Sequence, residues 1–472
     1  IPGLAAASAA SVPGRVAITV DDEPVTHAEL DEGAARVAGW LARRFRPGDR
    51  VLLAAGASVG FVRCYLGALR AGAVVVLANP GYTAAELGHL VADSGAVLAF
   101  ADPEPGRLLA ALGLPTADVR TLPEDSSPAA GIAAGPRQVA LLAYTSGTTG
   151  RPKGVPLTHG QLAASIRSAM AAWRWQQDEV LAHALPLYHQ HGLSGVHAAL
   201  IAGGTVHIRS RFGPADLVRT IEDTRATALF AVPTIYQALM DAGIVPGLRG
   251  LRLAVCGSAP LSPALAGRLA GALGRVPLIR YGTTETGLNV SNPVDDPRGD
   301  TVGVPLPGVL ARIGDGAADP GADGEIQIRG PQVFAGYWQD PAATAAAFTP
   351  DGWFRTGDIG TVDPADGHLR IRGRTKEMII TGGLNVYPRE VEIVLEDHPS
   401  VAEAAVAGIP HDRWGEQVTA WVVLRDGHGF DEAALIAHAR KRLAAYKCPK
   451  RVFRLEALPR NHVGKIVRSA LG

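Results

Sequence analysis

Cysteine is scarce in this chain. Only Cys64, Cys256 and Cys448 occur in 472 residues, far apart and never as CxxC. That excludes a thiolate zinc site and a disulfide scaffold. No uninterrupted apolar run approaches the roughly 20 residues needed to span a bilayer. No charge of one sign dominates, because 45 basic residues balance 45 acidic ones. The chain therefore has no overall field to draw nucleic acid or an anionic membrane, and no basic face interleaved with aromatics. A secretory signal is not visible, and a cytoplasmic, reducing compartment is the expectation. The 56 glycines and 34 prolines are scattered without a period, which argues against collagen-like or solenoid architecture.

What is present is length and apolar material. A hydrophobic fraction of 47% can fill large cores, and 472 residues suit two or three domains. Short apolar runs alternate with longer amphipathic ones. "DRVLLAAG" reads as a buried strand, "SVGFVRCYLGALRAGA" as a helix and "AVVVLAN" as the next strand. The rhythm returns in "GGTVHIR", "ATALFAV", "PTIYQALMDAG" and "LRLAVCGSA". Strand and helix in alternation predict an α/β fold of parallel sheets covered by helices. From about Val304 the pattern changes. "GEIQIRG" and "GHLRIRGR" are short alternating strands, as in an antiparallel or barrel-like subdomain. After Arg374 comes a small α+β unit of about 100 residues. The expected division is a large N-terminal domain, 1–374, and a small C-terminal domain, 375–472, with "GRTKE" as the hinge.

The densest cluster of donors is "YTSGTTGRPKGV", Tyr144 to Val155, directly after the apolar run "VALLAY". Gly147, Gly150 and Gly154 permit close backbone approach. Free N–H groups in such a turn make an anion-binding concavity. Thr145, Ser146, Thr148 and Thr149 add hydroxyls, while Arg151 and Lys153 add positive charge. Polyphosphate is the natural guest, and an exposed polar turn is the plain alternative. The P-loop pattern GxxxxGK[ST] fails here. The fifth residue after Gly147 is Pro152, and Lys153 is followed by Gly154.

With "LPLYHQHG", "GSAPL", "YGTTETG", "WFRTGDIG", "GRTKEMIITGGLNVYPREVE" and "LPRNHVGKI" following in order, the chain resembles the adenylate-forming superfamily over essentially its whole length. That superfamily includes acyl-CoA synthetases, luciferases and nonribosomal adenylation domains. The resemblance implies ATP, Mg²⁺ and coenzyme A. A carboxylate attacks the α-phosphate of ATP, and a thiol then displaces AMP. It also implies that the small domain rotates between these steps. The residues of the phosphate loop, Thr145, Ser146, Gly147, Thr148, Thr149, Gly150 and Lys153, would hold the nucleotide. Tyr281 would pack on adenine, flanked by Gly282 and Thr283. Thr284 would bond the α-phosphate, and Glu285 would hold the metal. Gly257, Ser258 and Ala259 would border both the acyl group and the adenine. Asp358 would take the ribose hydroxyls beside Arg374, although such a pair is also a common salt bridge. Lys465 would bridge the carboxylate and the α-phosphate. Lys376 would be the hinge residue, and Gly382 and Gly383 would let the pantetheine arm pass. Some relatives carry a lysine at the position of Ile380 for the second step, and this chain does not.

The acid is expected to sit against "LPLYHQHGL" and the strand entering "YGTTE". His189 occupies the family's pocket-gating position, with a satisfied core histidine as the plain alternative. Arg280 carries more information. A guanidinium at the base of an apolar strand is costly unless an anion meets it. The wider stretch resembles malonyl-CoA synthetases, in which an arginine at this place receives the distal carboxylate of malonate. Thr283 replaces a methionine typical of those enzymes, and pairing of Arg280 with an internal acid is the competing explanation. The expected activity is thus ATP-dependent ligation of malonate or a 2-substituted malonate to a thiol. Another small acid or oxyanion remains open: a short-chain or aromatic carboxylate, or nitrite. So does the acceptor, which is free coenzyme A, a carrier-protein arm or an amine.

Overall fold

The computed structural model describes residues 1–121, 128, 134–145, 152–243, 246–314, 321–381, 384–411, 414–461 and 464–471. Four sheets organise them. The expected α/β alternation builds the first two. In a six-stranded sheet, Arg50–Ala54 lies between Val74–Leu77 and Leu98–Ala101, all parallel. The sheet ends in an antiparallel hairpin of Val139–Thr145 and Lys153–Thr158. In a nine-stranded sheet, Val16–Val20, Thr205–Ile208, Val180–His183, Ala228–Ala231, Leu253–Cys256 and Leu278–Thr283 run parallel as neighbours. Antiparallel strands close both of its edges.

These strands are buried on both faces, which is why they read as continuous apolar runs rather than alternating ones. Leu253–Cys256 and Ala228–Ala231 are buried at every residue. Helices start where capping chemistry places them. Thr26, Thr83 and Thr158 each accept from the third helical N–H while Glu29, Glu86 and Gln161 reach back. Such reciprocal caps satisfy two otherwise orphaned donors. One large apolar core joins both sheets.

The change of style near Val304 is real. Leu310–Ile313, Gly324–Arg329, Phe354–Val362 and Leu369–Arg374 form a four-stranded antiparallel sheet. A bridge between Gly303 and Leu369 docks it to the nine-stranded sheet. The fourth sheet contains Leu384–Val386, Ile379–Thr381, Gly415–Leu424, Val401–His411 and Arg451–Arg454. Helices Pro388–Glu396 and Glu432–Arg440 pack on it, around a separate core drawn wholly from residues 379–452. The three cysteines are buried and unpaired. Among the described residues no helix is long and apolar enough to cross a membrane.

Candidate active site

The site grows from one strand, Leu278–Thr283. Side chains alternate along a strand, so Arg280 and Tyr281 must face opposite sides of the sheet. On one side, the Tyr281 hydroxyl donates to Asp358 Oδ2 at 2.6 Å. Arg374 Nε donates to Asp358 Oδ1 at 2.8 Å. Asp358 and Arg374 are direct partners across the antiparallel pair, which is why the two meet despite their separation in sequence. Asp358 is 4% exposed, and the ion pair holds the Arg374 guanidinium above its ordinary pKa. Burial and then the Asp358 charge push the Tyr281 phenol well up, so it stays a donor. The salt bridge is present, and one carboxylate is oriented from two sides.

On the other side lies Arg280, 8% exposed. Register brings it level with Gly257, since Cys256 pairs with Ile279. A Cβ on Gly257 would lie 2.4 Å from Arg280 Nε, so only glycine lets the guanidinium lie across that backbone. No acid pairs with Arg280 among the described residues, and its Nε and Nη2 are buried without hydrogen-bond partners. Burial draws its pKa down to about 10. The internal-acid explanation therefore finds no residue among those described.

His191 lies in the field of the guanidinium, with His183 and His189 close to it. His191 Nδ1 lies 2.9 Å from Ser258 Oγ, and its Nε2 is buried without a partner. Burial, then Arg280, then His183 and His189 hold His191 well below the ordinary histidine range. Burial brings His183 down to about 4. Ser258 itself adopts a left-handed φ of 70°, a conformation that costs a non-glycine residue about 1 kcal/mol or more and is concentrated at ligand-contacting loops. His189 precedes helix Gln190–Ala202 and packs its ring on Tyr188. It lines a cavity with Tyr144, Gln190 and Thr284.

The segment after Tyr281 is held from several directions. A Cβ on Gly282 would lie 1.9 Å from the Gly287 carbonyl, so the turn closes only with glycine there. Thr283 and Thr286 hydroxyls lie 3.0 Å apart, and Asn289 donates to Thr286 at 2.6 Å. Gln190 Nε2 donates to the Thr284 carbonyl at 3.1 Å. The Glu285 carbonyl accepts from Phe334 N–H, and its carboxylate accepts from the Tyr337 hydroxyl at 3.0 Å. Lys153 Nζ sits 5.0 Å from the centre of the Tyr337 ring. Among the described residues no three acids, histidines or cysteines converge as a metal cage. One carboxylate with a free oxygen suits a magnesium ion that is otherwise bound by phosphate and water.

Thr145 and Lys153 face each other at the mouth of the expected phosphate loop. Tyr144 donates to Asp93 at 2.6 Å, and His89 contacts the Pro152 carbonyl, so helix Ala84–Ser94 braces both stems. Ser146, Gly147, Thr148, Thr149, Gly150 and Arg151 lie outside the described residues, as do Gly382 and Gly383. Ala259 follows Ser258 in the half-buried loop ahead of Pro260.

Lys465 arrives from the far end of the chain. Its N–H donates to Asn461 Oδ1, and Asn461 N–H donates back to its carbonyl, both at 2.9 Å. Gly464 turns with φ of 77° and approaches Thr234 on helix Pro233–Asp241. The lysine keeps solvent access, yet its pKa is lowered by desolvation and then by Arg374. Asp358, Glu285 and Glu377 oppose that shift. The ammonium thus lies in the field of the very residues that the nucleotide motifs supply. Lys376 is exposed in the short turn Thr375–Glu377.

His191, Gln190 and Tyr337 were not singled out from the sequence. The first two stand inside "LPLYHQHG", where their proximity to His189 was a usable signal. Tyr337 carries no local signal, because its partner Glu285 is 52 residues away.

Residues 5–338 match the AMP-binding enzyme family, and residues 390–465 match the AMP-binding enzyme C-terminal domain. The chain is 38% identical to a feruloyl-CoA synthase of Amycolatopsis sp, covering 97% of this chain and 95% of that protein. It is 36% identical to a mitochondrial malonate–CoA ligase of Bos taurus, covering 89% and 80%. The crystal structure of ATP-bound MatB from Rhodopseudomonas palustris superposes with a TM-score of 0.93 at 37% identity, covering 100% of this chain and 98% of that one. The apo form of the same protein gives 0.82 with the same coverage.

Proposed function

Since this chain belongs to the AMP-binding enzyme family and is an ATP-dependent acyl-CoA ligase, we propose that its acid is a short dicarboxylate, malonate or a 2-substituted malonate. The observation that carries this reading is the unpaired, buried Arg280. Leaving a buried charge without a partner costs several kcal/mol, and a second carboxylate on the substrate removes that cost. A guanidinium can grip a carboxylate through two parallel hydrogen bonds, giving a small acid both affinity and orientation. Ser258 and His191 border the same space and add polar contacts.

In this reading the reacting carboxylate meets the α-phosphate between Thr284, His189 and Lys465. The Lys465 ammonium offsets charge on the two approaching anions. Preplaced charge of this kind is how phosphoryl and nucleotidyl transfer is accelerated. Tyr281, Gly282 and Thr283 with Gly257 and Ala259 form the adenine side, and Asp358 with Arg374 takes the ribose. Thr145 to Gly150 and Lys153 hold the polyphosphate. Glu285 would hold Mg²⁺, which supplies charge neutralisation on the phosphates when bound. The small unit from 375 to 472 then turns about Lys376, withdrawing Lys465 and bringing Gly382 and Gly383 to the thiol. The higher likeness to an ATP-bound than to an apo relative supports an adenylation-ready arrangement here.

A second reading, an aromatic acid, is favoured by the feruloyl-CoA synthase at 38% identity. One panel separates the two: pyrophosphate release with ATP and Mg²⁺ on malonate, methylmalonate, acetate, benzoate and ferulate, with and without coenzyme A. The diacid reading expects turnover on malonate or methylmalonate that requires coenzyme A, and its loss in Arg280→Gly with ATP binding retained. Inert malonate beside rapid turnover of ferulate would overturn it.

A further inference from the structure

Three residues beyond Lys465, Arg468 uses its whole guanidinium. Nε donates to the Val406 carbonyl at 3.1 Å, Nη1 to Glu377 Oε2 at 2.8 Å and Nη2 to Glu392 Oε1 at 2.6 Å. Glu392 is 1% exposed and also accepts from Val406 N–H at 3.0 Å. Arg468, Glu392 and the Val406 peptide therefore close a ring between helix Pro388–Glu396 and strand Val401–His411. The other leg of the Lys465 hairpin is fixed to the same strand, where Arg460 Nη2 donates to Glu403 at 3.0 Å. Arg460 and Ile466 bridge the two legs. The hairpin is thus pinned on both sides to the small sheet.

Glu377 extends this anchorage in a different direction. It ends the turn Thr375–Glu377 that follows Arg374. Arg374 is held by Asp358 on the four-stranded sheet, whereas Glu377 is held by Arg468 beneath Lys465. Only Thr375 and Lys376, both exposed, lie between the two fixed points.

We infer that the Arg468–Glu377 ion pair joins the turn after Arg374 to the Lys465 hairpin as one body. Arg468 is then a positioning residue for Lys465, and rotation between the two halves of the reaction is confined to the backbone from Arg374 to Lys376. This rests on the reading of Lys465 as the adenylation lysine. A long flexible lysine reaches a reproducible place only if its hairpin is fixed relative to the hinge. A pair anchored on one side by a buried ring fixes it better than an isolated surface pair would.

The test measures the two half-reactions separately on the full chain. Adenylation is read as malonate-dependent exchange of pyrophosphate into ATP. The thioester step is read in reverse, as AMP-dependent release of coenzyme A from malonyl-CoA. If the acid panel selects another acid, that acid and its thioester replace these. Glu377→Gln keeps size and shape but removes the charge, and Glu392 still satisfies Arg468. We expect it to lose about tenfold in exchange, keep the thioester step within about twofold and unfold at the parent temperature. Arg468→Lys should show the same split. In a Lys465→Ala background, Glu377→Gln should add no further loss in exchange. Unchanged exchange in Glu377→Gln, or equal losses in both half-reactions together with a lower Tm, would overturn the inference. A Lys465→Ala protein that exchanges at the parent rate would remove the reading beneath it, a result readable without the other variants.

Discussion

Arg280 and Arg468 are both enclosed by protein, yet their surroundings differ. Arg468 donates to two carboxylates and a carbonyl. Arg280 has neutral neighbours: His191 with a depressed pKa, the Cys256 thiol, and the bare backbone of Gly257. The small sheet has settled its charges internally. Around Arg280 the described residues supply no acid to satisfy its charge. A satisfied buried cation is part of the fold, and an unsatisfied one marks where something from outside is to be received.

Exchanging Arg280 for methionine tests this contrast most severely. Turnover of a diacid should fall by about two to three orders of magnitude, with the KM for ATP little changed. The same variant should unfold at an equal or higher temperature in the absence of substrate, because it removes an unpaired charge. Arg468→Met should do the reverse to stability, losing about 2 kcal/mol in urea unfolding, because Glu392 keeps only Val406 N–H and the more distant Arg389. If both variants destabilise equally, the contrast fails.

Acidification separates the regions next. The folded pKa of His183 is about 4, below the ordinary 6.5. Between those values the unfolded chain binds the proton and the folded one does not. Stability is therefore full above pH 6.5 and declines as pH falls towards 4, by roughly 3 kcal/mol from this group alone. Urea midpoints at pH 7 and pH 5 should differ in that direction, and His183→Asn should remove this group's share, leaving that of His159, His191 and His197, which burial also lowers. The sign is opposite at Lys465, whose proposed role needs the proton. Its pKa lies below the ordinary 10.5, so adenylation should decline with rising pH earlier than a free lysine would dictate. The smallest expected effect is at Tyr337, a neutral donor to Glu285. Tyr337→Phe should raise the Mg²⁺ concentration for half-maximal exchange about threefold, and leave binding of metal-free ATP, measured by calorimetry, unchanged.

Much of this was legible in one dimension. Strands such as Leu253–Cys256 are buried on both faces and so announce themselves as apolar runs. Arg280 stood out because a charge interrupts such a run, and Lys465 because it follows a glycine turn in a recognisable motif. The break near Val304 was visible as a change from continuous to alternating patterning. What could not be read depends on contacts between distant segments. The partners of Arg468 lie 62 to 91 residues away, and the Glu285–Tyr337 pair spans 52. Sequence proposed Asp358 and Arg374 as neighbours through the motif alone. The cross-strand register that makes them so appears only in the folded sheet. His191 was overlooked beside His189 because nothing in the order of residues says which imidazole turns towards Ser258.

Gly257 and Arg280 occupy one volume between them. Their histories are therefore bound together, and in a fixed sequence of events. A descendant must first shed the guanidinium, and only then can position 257 acquire a side chain. Once it has, the arginine cannot return until that side chain is lost again. Change at these two positions works as a ratchet, and a designer who wishes to reverse it must move both residues at once.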